Sequence, residues 1–122
     1  LVSGLNIRVT ADTVRKALRS IQQETTMAAY LVVDTDLTHP ERYEDYKLLA
    51  KPLVEQYGGE YLARGGELTR KETDLWNPVR LVLIRFPSAD QARRFYESPE
   101  YQKVLQISKE SARRTVVILE GI

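Results

Sequence analysis

The run Val79–Phe86 (VRLVLIRF) constrains this chain more than any other segment. It is rich in β-branched and large apolar residues and has the length of one strand. Side chains on a strand alternate between faces, so Leu81, Leu83 and Arg85 share one face and Arg80, Val82, Ile84 and Phe86 the other. Both faces are apolar, so each needs cover. A sheet with helices on one side only would leave the second face as an exposed apolar patch, and a second copy of the chain would close it.

The segments around this strand alternate between strand and helix. Ala29–Leu37 reads as a strand. Thr38-His39-Pro40-Glu41 has the T-x-x-E form of a capping box with proline in the first turn. The helix it starts runs to about Tyr57, with Tyr43, Tyr46, Ala50, Leu53 and Tyr57 as its apolar stripe. Pro52 lies inside it and predicts a bend, because its ring opposes the Leu48 carbonyl. Gly58-Gly59 ends the helix. Glu60–Arg64 reads as a short strand, Gly65-Gly66 as a turn, and Glu67–Glu72 as a short returning strand. Pro87 ends the Val79 strand. Ser88-Ala89-Asp90-Gln91 and Ser98-Pro99 each start a helix, and Thr115–Leu119 is the last strand. The order β-α-β-(β)-β-α-α-β predicts an α+β fold of ferredoxin-like split βαβ type, with an antiparallel sheet.

Residues 1–26 read differently and form an N-terminal extension that need not be native, ahead of a 27–122 domain with Met27 as its start. Leu5–Val9 suggests a short strand. Val14, Leu18 and Ile21 have helical spacing, with Thr10 or Asp12 as the cap. The extension is basic and amphipathic but lacks the apolar core of a secretory signal.

Composition narrows the function. The 122 residues contain no cysteine and one histidine, His39, which removes thiol chemistry, cysteine-ligated zinc and a multi-histidine metal site; neither metal nor cofactor is expected. A net charge of +1 lacks the basic surplus of a nucleic-acid binder. Nor does the last strand, TVVIL, carry the aromatic residues on which a ferredoxin-like RNA-binding sheet stacks bases. No apolar run is long enough to span a membrane, so a cytoplasmic protein is expected, with neither nucleic acid nor membrane as partner.

Nearly every strand adds a charge to an apolar run: Asp34, Arg64, Arg85 and Glu120. Tyr30 and Asp34 share a face of the first strand. Arg64, beside Gly65-Gly66, is the leading candidate to hold a small anionic ligand, since arginine binds carboxylates through two parallel hydrogen bonds. Tyr30, Asp34, Arg85 and Glu120 are its expected neighbours, with Asp34 or Glu120 as a base. The competing outcome is a mutual salt-bridge network at solvated strand ends. Trp76 is either a lid over that pocket or a dimer contact. His39 and the tyrosine stripe fit structural roles, and the pairs Arg93-Arg94 and Arg113-Arg114 fit solvated faces.

Six segments together carry a resemblance to a known family: Met27-Ala-Ala-Tyr-Leu-Val-Val-Asp34, Tyr57-Gly-Gly-Glu-Tyr-Leu-Ala-Arg-Gly-Gly66, Trp76-Asn-Pro-Val-Arg80, Phe86-Pro-Ser88, Phe95-Tyr-Glu-Ser-Pro-Glu-Tyr-Gln102 and Val117-Ile-Leu-Glu-Gly121. Residues 27–122 resemble the domain of unknown function 1330 family, small bacterial proteins of the dimeric α/β-barrel superfamily. The resemblance implies a ferredoxin-like protomer and a homodimer whose sheets face each other. It implies no activity. The expected function is therefore a cofactor-free enzyme or small-molecule binder with a pocket on the sheet face near Arg64, or else a non-catalytic dimeric binding or regulatory module.

Overall fold

A computed structural model describes residues 10–25 and 27–122. The expected strand at 5–9 and the side chain of Ile21 lie outside the described residues. The elements are α1 (Ala11–Thr25), β1 (Ala29–Leu37), α2 (Pro40–Gln56), β2 (Glu60–Arg64), β3 (Leu81–Phe86), α3 (Ala89–Glu97), α4 (Pro99–Ser111) and β4 (Ala112–Glu120). The four strands form one antiparallel sheet in the order β2-β3-β1-β4. This is the α+β, ferredoxin-like arrangement.

The sheet has one covered face and one open face. Leu31 and Val33 of β1 and Val82, Ile84 and Phe86 of β3 point into the core, where they meet Tyr43, Tyr46, Ala50 and Val54 of α2, Phe95 of α3 and Tyr101 and Leu105 of α4. Tyr30, Val32, Asp34, Leu81, Leu83 and Arg85 take the other parity. From β4, Val117 and Leu119 join them and are 50% and 60% exposed, so this face stands apolar and uncovered in the protomer.

Local chemistry accounts for most boundaries. Ser88 Oγ accepts the Gln91 amide and Ser98 Oγ accepts the Tyr101 amide, so each serine caps its helix. Thr10 caps α1 through the Thr13 amide, while Val14 and Leu18 stay exposed. The T-x-x-E box before α2 does not form. The N-cap position falls on His39, with no side-chain cap, and the amides of Thr38 and His39 both bond Ser111 O instead. Docking onto the end of α4 thus replaces local capping. Helix α2 continues through Pro52 as one element. The Leu48 carbonyl, which Pro52 cannot satisfy, lies on an exposed stretch open to water.

Two strand expectations change. Glu67–Glu72 forms no strand, and residues 65–80 make one long loop. Gly65, at φ +69°, turns the chain and bonds Leu81 O, while Glu67–Glu72 carries too many charges to add a buried face. β3 begins at Leu81 rather than Val79, because the amides of Val79 and Arg80 are taken by the Asp34 carboxylate. β4 starts earlier than Thr115, at Ala112, directly after α4.

Candidate functional site

The predicted site residues divide between the two faces of the sheet. Tyr30, Asp34 and Arg85 share the open face. Arg64 does not join them. Tyr61 pairs with Ile84 and Ala63 with Leu83, so Leu62 is an extra residue in β2 and the alternation slips by one. Arg64 consequently pairs with Val82 and shares its covered-face parity; its guanidinium lies over the Tyr61 ring, 4.8 Å from the centroid. Strict alternation along Glu60–Arg64 misassigned it, since a bulge leaves no signature in five residues. Glu120 is corrected likewise: its parity matches Val116 and Ile118 on the helix side, and it ends exposed opposite Ala29.

Asp34 is an anchor rather than a base. Its Oδ1 accepts the amides of Val79 and Arg80 at 2.9 and 3.0 Å, and its Oδ2 accepts the Trp76 indole N–H at 2.8 Å. Burial alone would raise its pKa, but the amides of Arg80 and Val79 and the indole outweigh it, and the net shift is downward. A carboxylate held ionised by three donors is a weak proton acceptor. Trp76 is thus tied to its own protomer's β1, at the end of a loop braced by Arg70, which donates to Asn77 Oδ1 and Pro78 O. Beside Asp34 an open groove of about 250 Å³ runs past Asp36, Val79, Arg113 and Thr115.

On the helix side four cations gather, three of them without an ion-pair partner among the described residues. Lys47, Arg64, Arg80 and Arg114 line a cavity of about 30 Å³ together with Tyr43, Tyr46 and Tyr61. Three of the four stack on tyrosines: Arg64 on Tyr61, Arg80 6.0 Å from the Tyr43 centroid, and Arg114 4.9 Å from that of Tyr46. Arg80 lies so close to Gly65 that a Cβ there would sit 2.7 Å from its Nε. Close approach at that glycine therefore belongs to an arginine of the chain itself.

Arg114 is the residue that sequence reading missed. It was placed on a solvated face with Arg113. Yet β4 begins three residues earlier than expected, and carrying its alternation back from Val116 puts Arg114 among the core side chains. Burial opposes its charge, the oxygens of Tyr46 and Tyr101 favour it, and the net effect strengthens the cation. The Tyr46 and Tyr101 hydroxyls hydrogen-bond at 2.7 Å, and Arg114 Nη2 donates to Tyr101 Oη at 3.4 Å. Burial, then the proximity of Tyr101, raises the Tyr46 pKa well above the ordinary phenol value, against the opposing pull of Arg114. Tyr46 is therefore a neutral phenol and not a phenolate. Among the described residues only Lys47 of the four cations has a carboxylate partner, Glu44 of its own helix at 3.0 Å.

Comparison with known proteins agrees with this architecture. The RPA0582 protein of unknown function from Rhodopseudomonas palustris matches over 95% of this chain and 96% of its own, with a TM-score of 0.65 and 15% identity. SnoaB, a cofactor-independent oxygenase from Streptomyces nogalater, matches over 80% of this chain and 95% of its own, with a TM-score of 0.58 and 10% identity. At such identities the likeness is one of fold, an α+β arrangement with a four-stranded antiparallel sheet. No curated protein matches the chain. The family model described as domain of unknown function (DUF1330) matches residues 28–122, more than half of the sequence, and the chain belongs to that family.

Proposed function

We propose that this protein is a homodimeric small-molecule binder whose ligand is an organic anion, its charge drawn to each protomer by the cations between the helices and the sheet. The observation that carries this reading is the gathering of Lys47, Arg64, Arg80 and Arg114 around tyrosine-walled space with no carboxylate in its lining. Four like charges gathered at one cavity repel one another unless an anion joins them; Arg64 stands exposed at its rim, and Lys47, Arg80 and Arg114 are half-buried. The Arg64 role expected from the sequence is kept, but on the covered face, where it borders the cavity. The groups nearest the ligand are cations and neutral phenols, which suit holding an anion or stabilising an enolate better than abstracting a proton. The open sheet face supports the homodimer, since Val117, Leu119, Leu81 and Leu83 would otherwise face water.

The test is a thermal-shift screen of small organic anions against their neutral isosteres. A ligand at a hundred times its Kd adds about 2.7 kcal/mol to stability. Anions are expected to raise the melting temperature and neutral isosteres to leave it unchanged. Arg64→Ala is expected to keep the fold and to weaken the response. Neutral compounds stabilising as strongly as anions would overturn the reading.

A further inference from the structure

Among the described residues, the buried side-chain polar atoms without a hydrogen-bond partner are three: Thr35 Oγ1, Arg114 Nε and Arg114 Nη1. They are not scattered. Thr35 and Arg114 are direct cross-strand partners in the β1–β4 ladder, and both point to the helix side. Buried polar groups in native proteins are nearly always paired, so three orphans on two neighbouring residues mark a place where a partner belongs. The partner has to be an acceptor and should carry negative charge, because no acidic residue forms an ion pair with Arg114 among the described residues. Nη2 is used only weakly, on Tyr101, so each of the two forked edges of the guanidinium keeps a free N–H.

Cavity size decides where the rest of such a ligand lies. Arg114 borders two spaces on the helix side, a small cavity and an open groove, besides the open groove it shares with Asp34 and Asp36. The cavity shared with Arg64, at about 30 Å³, holds about one water-sized group. The groove beneath the β4 edge measures about 210 Å³ and is walled by Tyr96, Leu105, Ala112 and Val116, with Lys109 at its margin. Its walls are mixed, with Leu105, Ala112, Val116 and the Tyr96 ring beside Ser108, Lys109 and Arg114, and no carboxylate. Such a lining suits a compact hydrocarbon body better than a phosphate or a sugar.

We propose that Arg114, with Thr35 beside it, seats the carboxylate of a small organic acid whose apolar body occupies the groove between α4 and β4. This rests on the reading above of an anion drawn to the cations of the protomer, and it adds the ligand class, the seat and the side of entry. The acid enters by the β4 edge, away from Arg64. Nε and Nη1 are sealed from water, so it has to part the groove wall to reach them. Thr35 donates its hydroxyl hydrogen to the same carboxylate. The Tyr46–Tyr101 pair closes the far side.

Benzoate is the probe, titrated into the full chain and followed by amide shifts, with benzamide as neutral isostere and inorganic phosphate as an anion without an apolar body. Benzoate is expected to shift Leu105, Ala112 and Val116 together with Thr35 and Arg114, and the two controls are expected to do nothing there. Thr35→Val keeps the shape and is expected to weaken benzoate about tenfold. Arg114→Lys keeps a charge but loses the fork and is expected to weaken it at least as much. Should Arg114→Lys unfold, Thr35→Val still decides. Benzoate shifts confined to Lys47, Tyr61 and Arg64 would overturn this seat while leaving the anion-binding reading in place. Equal shifts from benzamide or phosphate would overturn the carboxylate class. No shift from any anion would overturn both proposals.

Discussion

The Trp76 indole N–H lies 2.8 Å from Asp34 Oδ2, joining the tip of a long loop to the middle of the sheet. The same carboxylate takes two backbone amides, so one side chain on β1 fixes both ends of the Trp76–Arg80 segment. Asp34→Asn puts an NH2 group against at least one of these three donors. The expected cost is about 1–2 kcal/mol, read as a lower urea midpoint, with a change in Trp76 fluorescence. An unchanged spectrum and midpoint would show that the loop holds itself.

The lowered pKa of Asp34 sets a pH window. A carboxyl with a depressed folded-state pKa stabilises the fold above its unfolded value of about 4, and this contribution disappears as pH falls through the folded value. Wild type is therefore expected to lose its stability advantage over Asp34→Asn below about pH 4. Melting curves of both proteins from neutral to acid pH measure it. Parallel curves would remove Asp34 from the acid response.

The two adjacent glycines are predicted to behave differently. Gly65 has φ +69° and Arg80 against it, whereas a Cβ on Gly66 would meet nothing within 4 Å. Gly65→Ala is expected to cost about 1–2 kcal/mol from the backbone alone. Gly66→Ala is expected to stay within about 0.5 kcal/mol of wild type. Chemical denaturation of the pair checks this, and equal effects would contradict it.

Thr35→Val and Tyr46→Phe should move stability in opposite directions in the absence of ligand. Thr35 buries a hydroxyl with no partner, so its removal is expected to stabilise by about 1 kcal/mol. Tyr46 Oη bonds Tyr101 Oη at 2.7 Å, and its loss leaves a buried phenol poorly satisfied, at about 1–2 kcal/mol. Urea midpoints for the two variants provide the comparison.

Leu119→Asp places a charge on the open sheet face without touching the core. It is expected to dissociate the proposed homodimer at micromolar concentration in a sedimentation experiment while the protomer stays folded. Wild type sedimenting as a monomer at that concentration would defeat the dimer proposal itself.

How far the sequence could be read depended on the range of the forces involved. Strands β1 and β3 and the serine caps of α3 and α4 were legible because alternation and capping are local. The T-x-x-E box before α2 misled because Ser111, distant in sequence, supplies the acceptor for the Thr38 and His39 amides. Asp34 was read from the sequence as a ligand neighbour or base, whereas its place as an anchor comes from the 65–80 loop folding back on it. Arg114 was obscured by its neighbour: Arg113-Arg114 reads as a charged surface pair, and only the true start of β4 separates the two onto opposite faces.

The extra residue at Leu62 has a consequence for how this scaffold varies. Upstream of it β2 and β3 keep one register, and downstream the faces are exchanged. Deleting Leu62 would restore plain alternation and leave Arg64 opposite Val82, whereas straightening the strand with Leu62 retained would set Arg64 opposite Leu81 on the open side, with the central ladder intact in both cases. Among proteins built on this sheet, whether one short edge strand bulges or runs straight can therefore decide which of two chemically separate surfaces receives a cation, with no substitution at the arginine.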